Sequence, residues 1–229
     1  MPRFFAEIDN DDRAVIKGRD VSHILGSLRK GVGDELAVRD RHKGYMARIV
    51  SIAPGVISLE ILYPQELAKR SARVVHLGIS LIDLKDMDVL IRNVTELGVS
   101  EIHPLVAKRS NVRDVGEKRV ERWRQIIFEA IKQCERMTVP VLHDPLPLEN
   151  FLEKTAPSWP CRLVASLSSG ISIREIKDGE VGILIGPEGG FTQDEMGGIL
   201  ASGFTPVHMG KTILRSCTAA MTAVGILAL

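Results

Sequence analysis

Ile183-Leu184-Ile185-Gly186-Pro187-Glu188-Gly189-Gly190 runs from apolar, strand-forming residues into a turn rich in glycine and proline. Just beyond it, Thr192-Gln193-Asp194-Glu195 has the spacing of a capping box, in which the first and fourth side chains satisfy each other's backbone amides at a helix start. A buried strand that turns directly into a capped helix is the repeating unit of an α/β sheet. Glycines let a ligand approach the backbone closely, and helix N-termini attract electron-rich groups. The turn has neither the Gly-Lys-Ser/Thr of a phosphate loop nor the GxGxxG of dinucleotide-binding proteins, and a tight strand–helix connection without any ligand has the same appearance.

Working outward, the alternation continues on both sides. Upstream, the pattern predicts a strand at 74–82, a helix at 85–97 closed by Gly98, a strand at 101–106 and a long helix at 116–137. A short strand at 139–142, a helix at 148–155 and a strand at 161–166 follow, then a second capping box at Ser172–Glu175 with little helix after it. Downstream of the strand at 181–185 come a helix opened by Thr192, a strand at 206–209 and a last helix from Ser216. Such βα alternation means an α/β domain with a mostly parallel sheet and helices on both faces. A second glycine turn, Met209-Gly210-Lys211-Thr212-Ile213-Leu214-Arg215, also leaves a strand end, with Arg215 beside it. Ser216 can equally be a plain N-cap and Arg215 a surface charge. Both turns, however, lie at strand C-termini, the edge where open α/β sheets bind ligands. The last helix has no charged residue. A helix apolar on every side is expected to be buried on every side, and a partner subunit is the natural cover, so a homodimer is expected.

Residues 1–70 read differently. Apolar, β-prone runs at 3–8, 35–39, 45–52 and 56–63 are punctuated by Gly31, Gly33, Gly44, Pro54 and Gly55. One helix, 20–30, is expected among them, with Val21, Ile24, Leu25 and Leu28 facing inward. Short strands at this spacing predict a small barrel, joined through a polar linker at 64–71 to a second domain at 71–229.

Net charge is +1, so blanket attraction to nucleic acid is absent, but basic residues cluster: nine Lys/Arg against four acids between Arg13 and Arg48, and seven against three between Lys108 and Arg124. A solvated surface accounts for such clusters as well as phosphate binding does. Three cysteines without a CxxC and six histidines without an i, i+4 pair give no local metal-ligand motif, and no metal is expected. Glu7, Asp9, Asp11 and Asp12 leave no room for a signal-peptide core, and residues 216–229 are too short to span a bilayer, so a cytoplasmic location is expected.

The two glycine turns, together with Arg3-Phe4-Phe5, His23-Ile24-Leu25, Gly33-Asp34-Glu35, Thr95-Glu96-Leu97-Gly98-Val99, Gln133, Arg136 and Val139-Pro140, resemble the ribosomal RNA small subunit methyltransferase E family, of the SPOUT class of knotted methyltransferases. The resemblance runs nearly the whole chain. It implies a PUA-like N-terminal barrel for RNA (1–70) and a C-terminal domain with a deep trefoil knot (71–229). It further implies a homodimer that methylates N3 of a uridine in small-subunit ribosomal RNA with S-adenosylmethionine. By the same resemblance the cofactor is held by Leu167, Ile185, Gly186, Gly189, Gly190, Met209, Gly210, Ile213, Leu214 and Arg215. Arg215 would stabilise negative charge on the uracil. Glu188 would orient substrate, accept a proton or simply serve the turn. Arg3, Arg29, Lys30, Arg109 and Arg136 would contact RNA.

Three positions depart from the family pattern. Asn93 stands where relatives usually have Lys, and Lys132 and Cys217 where they usually have Glu. These positions are expected to form one ion network that has been exchanged as a unit. The intact glycine turns favour an active enzyme, whereas Lys132 and Cys217 favour a non-catalytic RNA-binding or ribosome-assembly protein that keeps the fold. A generic nucleotide-binding enzyme lacks its phosphate-loop lysine here.

Overall fold

The structure, a computed structural model, describes residues 3–9, 12–40, 43–65, 73–134, 136, 138–167, 170–177 and 179–229. The chain divides into two units, Met1–Arg70 with Ile131–Thr138, and Ser71–Ala130 with Val139–Leu229. Most of the expected linker, from residue 66 onward, lies outside the described residues.

The first unit is a six-stranded sheet built from β1 (Arg3–Phe5), β2 (Glu7–Asp9), β3 (Arg13–Lys17), β4 (Glu35–Arg39), β5 (Gly44–Ala53) and β6 (Val56–Gln65). Its order is β1-β4-β5-β6-β3-β2, antiparallel except for the β1–β4 pair. Only Ala6 separates β1 from β2, yet they stand at opposite ends of that order, so the sheet must curl round on itself. Alternating side chains point inward, and Phe4, Ile16, Leu36, Val38, Ile49, Ile57 and Leu59 form the core. The single strand expected at 3–8 is broken at Ala6, whose amide leaves the run to bond Arg39 O at 2.9 Å. The expected helix at 20–30 is shorter. It comprises α1 (Arg19–Ser22) and a wider turn through Ser27, and Arg29 then takes a left-handed φ of 51° that no helix continues.

In the second unit, β7 (Val75–Ser80), α2 (Leu84–Leu97), β8 (Glu101–Val106) and α3 (Glu117–Cys134) come first, the last turn of α3, from Ile131, belonging to the first unit. Then follow β9 (Val141–Leu142), β10 (Leu146–Pro147), α4 (Leu148–Lys154), β11 (Arg162–Ala165) and β12 (Ile171–Ser172), and finally β13 (Val181–Ile185), α5 (Gln193–Ala201), β14 (Thr205–His208) and α6 (Ser216–Ala228). The sheet order is β10-β8-β7-β13-β11-β14-β12, with β9 beside β8, and every pairing is parallel. β7 and β13, at its centre, are buried at every position, which is why they are written as unbroken apolar runs apart from His76, Ser80 and two glycines. One of these, Gly182, has no side chain because the Trp159 indole lies there; a Cβ would stand 1.8 Å from it.

Helix ends follow the local chemistry. Asp83 caps α2 by accepting from Lys85 N at 2.8 Å, and the Gly98 amide closes it on Val94 and Thr95. α3 ends at Cys134, short of the expected 137. α6 packs against α2, β7 and β13 through Ala219, Ala220, Ala223, Val224 and Leu227. Its other face, with Thr222 and Ile226, is half-buried, so the all-round burial expected of an uncharged helix is not met within one chain. No helix among the described residues is long and apolar enough to cross a membrane.

The capping box on α5 does more than start a helix. Glu195 is buried, accepts from Thr192 N at 2.8 Å, and also accepts from Lys108 N at 2.6 Å, tying α5 to the loop after β8. Burial alone would raise its carboxyl pKa, but the amides of Lys108 and Thr192 outweigh it and hold the group below its ordinary value of 4.5. A depressed folded pKa adds stability above the unfolded value that is lost as pH falls through the folded one. Glu195→Gln is therefore expected to destabilise the protein by roughly 1.5–3 kcal/mol near neutral pH. In urea unfolding that gap narrows steadily below about pH 4.5; a gap of the same size at pH 7 and pH 3 would contradict this role.

Candidate active site

Because the sheet of the second unit is parallel, all its strand C-termini point to one edge. There the segments after β11, β13 and β14 enclose a cavity of about 790 Å³, lined by residues 165–167, 185–191 and 209–216 with Met196 and Ala219. Ligand pockets fall in the range of about 300–1,000 Å³. The turn after β13 is closed by the Gly190 amide on Pro187 O at 2.8 Å, with Gly190 at φ 68°. Outside the turn, Arg109 donates to Gly189 O at 2.8 Å and braces it. In the turn after β14, Gly210 has φ 147°, a conformation that side-chain-bearing residues rarely adopt. Leu167 and Ile213 are 71% and 79% exposed although both line the cavity. Large apolar side chains held open around a cavity are suited to covering a ligand with an apolar part.

Every residue assigned from sequence to the cofactor lines this one cavity: Leu167, Ile185, Gly186, Gly189, Gly190, Met209, Gly210, Ile213, Leu214 and Arg215. Glu188 lines it too and is exposed. Arg215 sits at the N-cap position of α6, exposed, with its carbonyl accepting from Ala219 N at 2.8 Å. Sequence reasoning missed Ala165, Ser166, Phe191, Met196, Ser216 and Ala219. Most of them flank the assigned residues in sequence, which is the signal that would have found them. A larger groove of about 930 Å³ runs along α3 among Arg113, Asp114, Glu117, Lys118 and Glu121. It has no glycine turn and mixes both charges, so the smaller cavity is the better site for a ligand that needs close backbone approach.

The residues assigned to RNA are spread more widely. Arg109 belongs to the second unit, and Arg3, Arg29, Lys30 and Arg136 to the first. Arg3 opens β1, but its side chain lies outside the described set. Arg29 is exposed, and Lys30 pairs with Asp34 at 3.7 Å. Arg136 is half-buried, its pKa lowered by burial, and its Nε donates to Thr138 Oγ1 at 3.3 Å.

Asn93 and Cys217 both make contacts between α2 and α6, and Lys132 makes one within the first unit. Asn93 Nδ2 lies 3.0 Å from Met221 Sδ, linking α2 to α6. Lys132 pairs with Asp20 at 2.8 Å in the first unit. Cys217 approaches Asp86 O at 3.9 Å. Its thiol is pushed above the ordinary value by burial and by the Asp86 charge, opposite to the lowering that a helix N-terminus alone would produce. Each of the three has a partner of its own.

Comparison with known proteins agrees with this geometry. A family model described as an RNA methyltransferase domain matches residues 69–228. The ribosomal RNA small subunit methyltransferase E of a Synechocystis species is 32% identical over 86% of this chain and 66% of its own length, just under two thirds. That of Mesomycoplasma hyopneumoniae is 28% identical over 96% of both chains. Among solved structures, the ribosomal RNA small subunit methyltransferase E of Neisseria gonorrhoeae bound to S-adenosylmethionine superposes with a TM-score of 0.85 at 29% identity, covering 98% of this chain and 95% of its own. With the matched model spanning most of its length, the chain belongs to the RNA methyltransferase domain family, among the ribosomal RNA small subunit methyltransferase E proteins.

Proposed function

We propose that this chain is an S-adenosylmethionine-dependent methyltransferase that modifies N3 of a uridine in small-subunit ribosomal RNA. One observation carries the reading: three strand-end segments converge on a single glycine-lined cavity in a chain whose Neisseria relative is described with S-adenosylmethionine bound. The residues present fit that group. Glycines at 186, 189, 190 and 210 allow close backbone approach, and Leu167, Ile185, Met209 and Ile213 offer apolar cover. Leu214 and Arg215 complete the set of cofactor contacts. When bound, S-adenosylmethionine supplies a methyl group made electrophilic by a positively charged sulfur.

What the chain itself contributes is mainly positioning of two reactants in line. Uridine N3 lies on the pairing edge, so the base must be unpaired or turned out of its stack. The Arg215 guanidinium, exposed at the cavity wall, stabilises negative charge that develops on the uracil as N3 loses its proton. Glu188 orients the base or takes that proton. Residues 1–70 serve as a PUA-like RNA-binding barrel, a role supported by the curled sheet. Arg3, Arg29, Lys30 and Arg136 from the first unit, and Arg109 beside the cavity, supply phosphate contacts. Residues 71–229 form a SPOUT domain with a trefoil knot. In support, the chain leaves β14 between β11 and β12 and comes back with α6 against α2, β7 and β13. The protein acts in the cytoplasm, on ribosomal RNA or the small subunit, as a homodimer whose contact includes the half-buried face of α6.

Incubated with labelled S-adenosylmethionine and unmodified small-subunit RNA or subunits, the protein is expected to place label on uridine N3. Arg215→Ala is expected to slow transfer by roughly 10²–10³-fold, while cofactor affinity measured by calorimetry changes only a few-fold. Cofactor binding by the wild type with no transfer to either substrate would point instead to a non-catalytic RNA-binding protein. For the dimer, charging the second face of α6 with Thr222→Lys and Ile226→Lys is expected to shift sedimentation from dimer to monomer. A monomeric wild type would refute that contact.

A further inference from the structure

At the opposite edge of the parallel sheet, where strands begin, register gathers a second group of side chains. His76 in β7 pairs directly with Glu101 in β8, so the two share a face. His103 lies two residues on from Glu101, on that same face. β9 pairs with β8 through Val141 and Leu142, which brings the following residue, His143, beside His103. The two imidazoles stack with ring centroids 3.9 Å apart.

Three ring nitrogens converge on one carboxylate oxygen. Glu101 Oε2 lies 3.0 Å from His143 Nε2, 3.1 Å from His103 Nε2 and 3.5 Å from His76 Nδ1. On its far side, His76 Nε2 meets Glu180 Oε1 at 2.9 Å. A neutral imidazole has one N–H and one lone pair. If Nε2–H donates to Glu180, Nδ1 aims a lone pair at a carboxylate. His76 is only 5% exposed, and its Nδ1 is buried without a hydrogen-bond partner. A cation between Nδ1 and Glu101 removes the conflict.

We propose that His76 Nδ1, His103 Nε2 and Glu101 Oε2 bind one divalent cation of the zinc type, with Glu180 orienting His76 and His143 stacked on His103 beside the site. With metal–ligand bonds of about 2.0–2.1 Å, neighbouring ligand atoms in a tetrahedral zinc site stand roughly 3.4 Å apart. The measured separations from Glu101 bracket that value, and the ligand atoms of His76, Glu101 and His103 all lie within 4.8 Å of one another. Two imidazoles and one carboxylate suit a borderline metal and not the all-oxygen preference of calcium or magnesium. A carboxylate holding the remote nitrogen of a ligating histidine is the usual support in zinc sites. Trp159, stacked 5.5 Å from His76 and edge-on to His103, walls the inner side, while His143 and Glu101 stay open enough to admit an ion. Three protein ligands leave the fourth position to a water, and the metal clamps β7 to β8, away from the methyl-transfer cavity. Local spacing hid this set, because its members stand at 76, 101 and 103 and meet only through strand register.

The test uses the full-length, tag-free chain, stripped with a chelator and titrated with Co²⁺ and then Zn²⁺. One Co²⁺ per chain with the intense visible bands of four-coordination, displaced by Zn²⁺, is expected, together with a rise in Tm in excess Zn²⁺. Glu101→Gln and His103→Ala are each expected to weaken Zn²⁺ at least tenfold, and Glu180→Gln roughly 10–100-fold, with His23→Ala unchanged. Glu101→Gln, nearly isosteric, carries the test should the alanine variant not fold. Calorimetry with S-adenosylmethionine on the same variants keeps this result separate from the methyl-transfer reading. No ion bound, or an ion whose affinity ignores Glu101→Gln and His103→Ala, would overturn the proposal.

Discussion

Parallel pairing imposes a direction on everything attached to the sheet. Once β7, β8, β11, β13 and β14 run the same way, their C-terminal loops are forced to one edge and their first residues to the other. The cavity depends on the first consequence, since turns separated by some twenty residues of sequence are brought side by side without any contact designed for that purpose. The histidine cluster depends on the second. Both rest on the same buried core of β7 and β13, in which Gly182 gives way to Trp159, and that indole in turn backs the histidines.

Fixing the loops themselves needs further interactions. Glu195 holds the start of α5 to the loop after β8, and Arg109 from that loop holds Gly189. The glycine turn is thus braced from the loop after β8, two strands away, not by its own side chains, of which it has few. This is the arrangement expected where a ligand must lie against peptide groups: conformation is set by glycine and hydrogen bonds from behind, and the ligand side stays clear.

How far the sequence could be read follows from the range of the interactions involved. A fully buried parallel strand needs a continuous apolar run, so 181–185 was marked to the residue, and capping boxes located the starts of α5 and of the short turn after Ser172. The cavity residues were found because each turn is contiguous. β3 escaped notice because its alternation, Arg-Ala-Val-Ile-Lys, is short and bounded by charge, and β10 and β12, at two residues each, carry no period at all. The histidine–carboxylate cluster and the partners of Asn93, Lys132 and Cys217 were out of reach for a deeper reason. They are set by register and packing between elements far apart in sequence, which no local pattern encodes.

The account stands on two glycine-bearing turns sharing one ligand, and hydrogen exchange with and without S-adenosylmethionine examines that most directly. Saturating ligand is expected to slow amide exchange in peptides covering 185–191 and 209–216 together, leaving the groove along α3 unchanged. Protection confined to 113–125 and 144–147, or to one turn alone, would contradict it.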